Sequence, residues 1–89
     1  MTTLRRELLS ITPRQLEVLG RLTSREHWSV GEVASMMGVS SAAATKALAR
    51  LERKGLVTRA ENIMDRRCVD ITVTRSGAEL VRRSLDDQR

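Results

Sequence analysis

The chain has 89 residues, 40% of them hydrophobic, with 16 Lys+Arg against 11 Asp+Glu and a formal net charge of +5. That length supports one modest core, so residues 1–89 are expected to form a single domain. One Cys excludes an internal disulfide, and with no secretory leader and no apolar run of transmembrane length the expected setting is a reducing cytoplasm, away from membranes.

In chain order, Leu4, Leu8 and Ile11 recur at i, i+4 and i+7 and predict a short N-terminal helix over residues 1–11. Thr12-Pro13-Arg14-Gln15 then has the form of a capping box with proline at the first helical position, and Leu16, Leu19 and Leu22 supply the core face of the helix it opens. His27 falls in a polar turn, where an exposed histidine is the expected reading. Trp28, the one aromatic residue, predicts a tiny strand beside a hairpin and a role in closing the core.

A second capping box, Ser29-Val30-Gly31-Glu32, opens a short helix that Gly38 ends. Only Val39 and Ser40 separate that glycine from the next helix, a turn short enough to hold two helices at a steep angle. Ser40 is the expected N-cap of a helix over residues 41–54, stopped by Gly55 with Leu56 folding back on its last turn. Ala44, Leu48 and Leu51, with Ala47 beside them, form its inward stripe. The opposite face holds Ser41, Ala42, Ala43, Thr45, Lys46, Ala49 and Arg50. Small residues keep that face thin enough for a DNA major groove, and Ser, Thr, Lys and Arg donate to phosphates and base edges. The competing reading is a solvated helix whose alanines serve propensity alone; the two-residue turn before it favours double-stranded DNA.

Beyond Gly55 the period changes. Residues 56–59 read as a strand, and Val69, Ile71 and Val73 alternate with Asp70 and Thr72 in a second, so residues 56–74 predict a β-hairpin with a long tip. The tip carries Asp65, Arg66 and Arg67; arginine suits a narrow minor groove, and a nearby carboxylate holds the guanidinium in one rotamer. Thr74 is the expected cap of a last helix over residues 75–87, with Ala78, Val81 and Leu85 on its apolar side. Apolar positions at both termini, Leu4, Leu8, Leu9, Leu80, Val81 and Leu85, mark a subunit interface if one chain cannot bury them all.

Charge follows the same division. Residues 40–67 hold seven basic and three acidic residues, four of the five net positive charges, so the excess is concentrated on the second short helix and the hairpin.

The motifs taken in order, Ser29-Val30-Gly31-Glu32-Val33-Ala34, Leu51-Glu52-Arg53-Lys54-Gly55-Leu56-Val57-Thr58-Arg59, and Asp65-Arg66-Arg67 followed by Ile71-Thr72-Val73-Thr74-Arg75-Ser76-Gly77, resemble the MarR family of bacterial transcriptional regulators over roughly residues 11–83. The resemblance implies a mainly α, winged helix-turn-helix (α+β) fold with residues 40–54 as the recognition helix. It further implies a wing in which Asp65 orients Arg67 toward the minor groove, and a homodimer on a pseudo-palindromic operator. In that family longer terminal helices interlock as the dimer and frame an effector pocket; this chain carries short versions of both, and no effector is named by its residues.

No catalytic residue, cofactor or metal site is expected. With one His and one Cys, and no phosphate-cradling glycine loop, neither a triad nor a zinc site assembles. The absence of Phe and Tyr argues against single-strand binding by aromatic stacking. Cys68, next to Arg67 and on the strand face opposite Val69, is the one candidate redox position, set against a small tolerated strand residue. The alternative function is a winged-helix module that binds protein; the thin basic helix face favours DNA.

Overall fold

The computed structural model describes residues 11–65 and 69–87. Over these the elements are α1 (Pro13–Leu22), α2 (Val30–Met37), α3 (Ser41–Arg53), β1 (Val57–Glu61), β2 (Val69–Val73) and α4 (Arg75–Asp87). The fold is mainly α with one antiparallel hairpin, a winged helix-turn-helix. The helix expected over residues 1–11 lies outside the described residues, apart from Ile11, which packs against the core.

Side-chain caps set where the helices begin. Gln15 N–H donates to Thr12 Oγ1 at 3.0 Å and Thr12 N–H to Gln15 Oε1 at 3.2 Å, with Pro13 opening the first turn. Ser29 and Glu32 exchange the same pair of bonds, at 3.1 and 2.9 Å. Ser40 Oγ accepts from Ala43 N–H at 3.1 Å. Each cap satisfies an orphan donor of a first turn, and its loss costs roughly 1 kcal/mol.

Two glycines set where α2 and α3 end. Gly38 has φ 68° and Gly55 φ 74°, left-handed conformations that a Cβ disfavours. Past each glycine the chain folds back on its helix: Val39 N–H donates to Ala34 O at 3.0 Å, and Leu56 N–H to Leu51 O at 3.0 Å. Lys54, expected inside α3, is its C-cap.

The hairpin pairs Val57 with Val73, Arg59 with Ile71 and Glu61 with Val69. Its first strand starts and ends later than residues 56–59, because Leu56 is spent on closing α3 and pairing continues to Glu61. Trp28 bridges to Ile71, with Trp28 N–H donating to Ile71 O at 3.1 Å and Ile71 N–H to Trp28 O at 2.8 Å, so the tiny strand expected beside the hairpin is reduced to one isolated bridge. The indole is buried and donates to Leu22 O at 2.9 Å, while the Arg25 guanidinium stacks 3.8 Å above its ring.

The core joins Val18, Leu19 and Leu22 of α1, Val33 and Ala34 of α2, Ala44, Leu48 and Leu51 of α3, and Trp28, Leu56, Val57, Ile71 and Leu80. In two helices the apolar face is rotated from the expected one. On α1, Val18 is buried and Leu16 half-buried, because the inward stripe runs Val18, Leu19, Leu22 and turns Leu16 toward α4. On α4, Gly77 and Leu80 face inward, Val81 is half-buried, and Ala78 and Leu85 are exposed. The cause is the approach of α4 to the hairpin base. Thr74 Oγ1 accepts Gly77 N–H at 3.0 Å and donates to Gly55 O at 2.7 Å, and Thr74 N–H donates to Leu56 O at 3.0 Å. A Cβ on Gly77 would stand 2.3 Å from Leu56 O and 2.9 Å from Val73 Cγ1, so only glycine fits at this contact.

Two helical glycines are therefore expected to behave oppositely. Gly77→Ala should lower unfolding stability by about 1–3 kcal/mol, through backbone displacement. Gly20→Ala, whose Cβ would meet Val81 Cγ1 at an ordinary 3.9 Å, should raise it by about 0.5–1 kcal/mol from helix propensity. Urea unfolding of both variants measures the difference; a neutral Gly77→Ala would show that Leu56 O is not a fixed wall.

Candidate nucleic-acid interface

The exposed side of α3 is the feature from which a binding surface can be built. Its inward stripe is fully buried at Ala44, Leu48 and Leu51, which fixes the rotation of the helix and turns Ser41, Ala42, Ala43, Thr45, Lys46 and Arg50 to solvent, with Ala49 half-buried. Ser40, exposed, caps the helix start, where the free N–H groups of a first turn favour anions. No acidic residue lies in that turn. Thr45 Oγ1 donates to Ser41 O at 2.8 Å, so its hydroxyl proton is used within the helix and its oxygen lone pairs remain for a donor on a base or backbone. Among the described residues, neither Lys46 nor Arg50 is held in an ion pair.

The pose of α3 depends on contacts that no local pattern announces. Arg14 donates to Met37 O, at the end of α2, at 3.0 Å, and Lys54 Nζ donates to Gln15 Oε1 at 2.8 Å. Adjacent residues in the first turn of α1 thus hold the C-terminal ends of both helix-turn-helix helices. Glu52 and Arg59, paired at 3.0 Å, tie the last turn of α3 to β1.

At α2, Glu32 serves two partners, accepting Ser29 N–H and pairing with Arg25 at 2.9 Å. The backbone bond from Ser29, followed by the Arg25 bond, holds its carboxyl below the usual carboxylate range. Arg25 in turn covers Trp28, so this cap is continuous with the strand bridge.

The wing is organised by a residue whose part the sequence did not disclose. Asn62 Oδ1 accepts Met64 N–H at 2.9 Å and Asp65 N–H at 3.0 Å, and its Nδ2 donates to Asp70 Oδ1 at 3.4 Å across the hairpin. Asp65 is half-buried. Arg66, Arg67 and Cys68 lie outside the described residues, and so do the expected Asp65 to Arg67 pairing and the candidate redox thiol. His27 is exposed as expected, with Nδ1 3.4 Å from Thr72 Oγ1.

Known proteins carry the same pattern. A family model described as the MarR family matches residues 11–69. The HTH-type transcriptional repressor MdtR of Bacillus subtilis is 39% identical over 71 residues, 80% of this chain and 46% of that protein, so the chain spans about half the length of this curated relative. Among solved structures, an S. aureus MepR-DNA complex superposes with TM-score 0.83 at 26% identity, covering 96% of this chain and 68% of that one. A MarR variant from E. coli complexed with operator DNA superposes with TM-score 0.78 at 31% identity, covering 92% and 60%.

Glu32→Gln tests the α2 cap. A carboxyl whose folded pKa is depressed adds stability above its unfolded pKa and loses it as pH falls through the folded value. Wild type should therefore exceed Glu32→Gln in thermal stability near neutrality, and the gap should close in acid below the ordinary carboxylate range. A gap unchanged in acid would assign the effect to packing instead of charge.

Proposed function

The chain belongs to the MarR family, and on that premise we propose that it is a sequence-specific double-stranded DNA-binding transcriptional regulator that reads the major groove with α3. The observation that carries this reading is the thin, exposed face of Ser41, Ala42, Ala43, Thr45, Lys46 and Arg50, aimed outward by a fully buried opposite stripe. Alanines let the helix backbone approach the groove floor, Lys46 and Arg50 meet phosphates or guanine edges, and the Ser40 and Ser41 hydroxyls lie beside the helix N-terminus. Support comes also from relatives: one is named a transcriptional repressor, and two structural neighbours are DNA complexes.

In this proposal the wing enters the minor groove, with Arg66 and Arg67 as its cations and Asp65 holding Arg67 in position. The functional unit is a homodimer joined through the terminal segments, presenting two copies of α3 to successive major grooves about 10 base pairs, or roughly 34 Å, apart. The apolar surface for such a joint includes Leu85, 59% exposed, beside half-buried Leu16 and Val81. Among the described residues no helix is long and apolar enough to cross a membrane; the cytoplasm is the setting proposed for this regulator.

Lys46→Ala and Arg50→Ala test the reading helix. Each should weaken duplex binding without unfolding the protein; a lost phosphate contact lowers the salt slope by about one, whereas a lost base contact relaxes preference at one position. Wild-type affinity for both variants across a salt series would remove α3 as the reader.

Leu85→Lys tests the dimer. Because Leu85 is largely exposed within one chain, the variant should stay folded, sediment as a monomer and bind a two-half-site operator more weakly. A monomeric wild type that binds one molecule per duplex would overturn the dimer and leave α3 as the reader.

A further inference from the structure

Two large apolar side chains stand in water at the tip of the hairpin. Ile63 is 94% exposed and Met64 93%. Their position is set by the Asn62 side chain, which accepts the N–H groups of Met64 and Asp65 at 2.9 and 3.0 Å and so shapes residues 62–65 into a turn. The turn uses Asn62, but it has no use for isoleucine or methionine: residues that suit turns are Gly, Pro, Asn, Asp and Ser. The core has no use for them either. Two adjacent apolar groups held outward on a fixed backbone keep an unfavourable hydration that a partner surface relieves.

We propose that Ile63 and Met64 form an apolar wedge that packs against the deoxyribose walls of the minor groove while α3 occupies the neighbouring major groove. The proposal rests on the DNA-binding reading above. Duplex DNA is the occupant favoured because the tip is continuous with the surface assigned to it. The base of the hairpin is locked to the end of α3 by the Glu52 to Arg59 pair at 3.0 Å and by Thr74 on Gly55 and Leu56. From Met64 the sequence runs through Asp65 directly into Arg66 and Arg67. Cations draw a loop toward phosphate, and the sugar edges lining the groove are then the apolar surface within reach of Ile63 and Met64. Ile and Met are among the side chains that wedge into minor grooves. The β-branched Ile63 offers a stiff edge, and the unbranched Met64 adapts to the width of the groove.

The test uses the full chain and a duplex selected by the wild-type protein from a random pool, titrated over a salt series. Ile63→Ala combined with Met64→Ala should weaken binding by about tenfold or more. The salt slope should stay at its wild-type value, because no counterion-releasing contact is lost. Ile63→Leu combined with Met64→Leu should restore most of the affinity. Both pairs should melt with the wild type, since these side chains touch no core residue. An alanine pair that binds like wild type at every salt concentration, while Lys46→Ala is weakened, would overturn the wedge and leave the DNA reading intact. A wild type that selects no duplex overturns both. An alanine pair that changes the sedimentation of the DNA-free protein would make a second copy the occupant, and that too overturns the wedge.

Discussion

The structure depends on the backbone at Leu56. Its N–H closes the end of α3 on Leu51 O, its carbonyl accepts Thr74 N–H, and the same carbonyl lies against Gly77 so closely that no Cβ is admitted. The end of α3, the base of the hairpin and the start of α4 therefore meet at the two backbone polar groups of one residue. Interiors are too closely packed for such a junction to yield gradually. In consequence the base of the hairpin is bonded directly to the end of α3, and the two proposed DNA contacts are pre-spaced.

Among the described residues the buried ones are all apolar, and no buried side-chain polar atom lacks a partner. Aliphatic burial thus supplies the drive to fold, while direction is given at the periphery by caps, left-handed glycines and the Trp28 bridge. These devices act at element ends. They decide angles and lengths, including the angle at which α3 presents its exposed face.

That division explains what was legible beforehand. Caps and glycine stops are local: Thr12 with Gln15, Ser29 with Glu32, Ser40, Gly38 and Gly55 each declare themselves within a few residues, so the helix-turn-helix and the exposed face of α3 could be read directly. Helix rotation is less local. Ala78, Val81 and Leu85 have the right spacing for an inward stripe, but the closeness of α4 to Leu56 O selects the face bearing Gly77 instead, and Leu80 follows it inward. A glycine was the clue, since a residue without a side chain marks the side on which another backbone arrives. The Arg14 to Met37 and Gln15 to Lys54 bonds span 23 and 39 positions and have no sequence signature at all. In the wing, Asn62 between Glu61 and Ile63 carried a turn signal that the neighbouring charges overshadowed.

Trp28 has an optical consequence. It is the chain's only aromatic residue besides the histidine ring, with no Tyr or Phe to share its absorption. It also sits where α1, the Ser29 cap and the middle of β2 meet, with a guanidinium across its face and its indole proton on Leu22 O. Intrinsic emission from this protein is thus a one-site signal. It reports the seam between the hairpin and the helical body, and it leaves the exposed face of α3 spectroscopically silent.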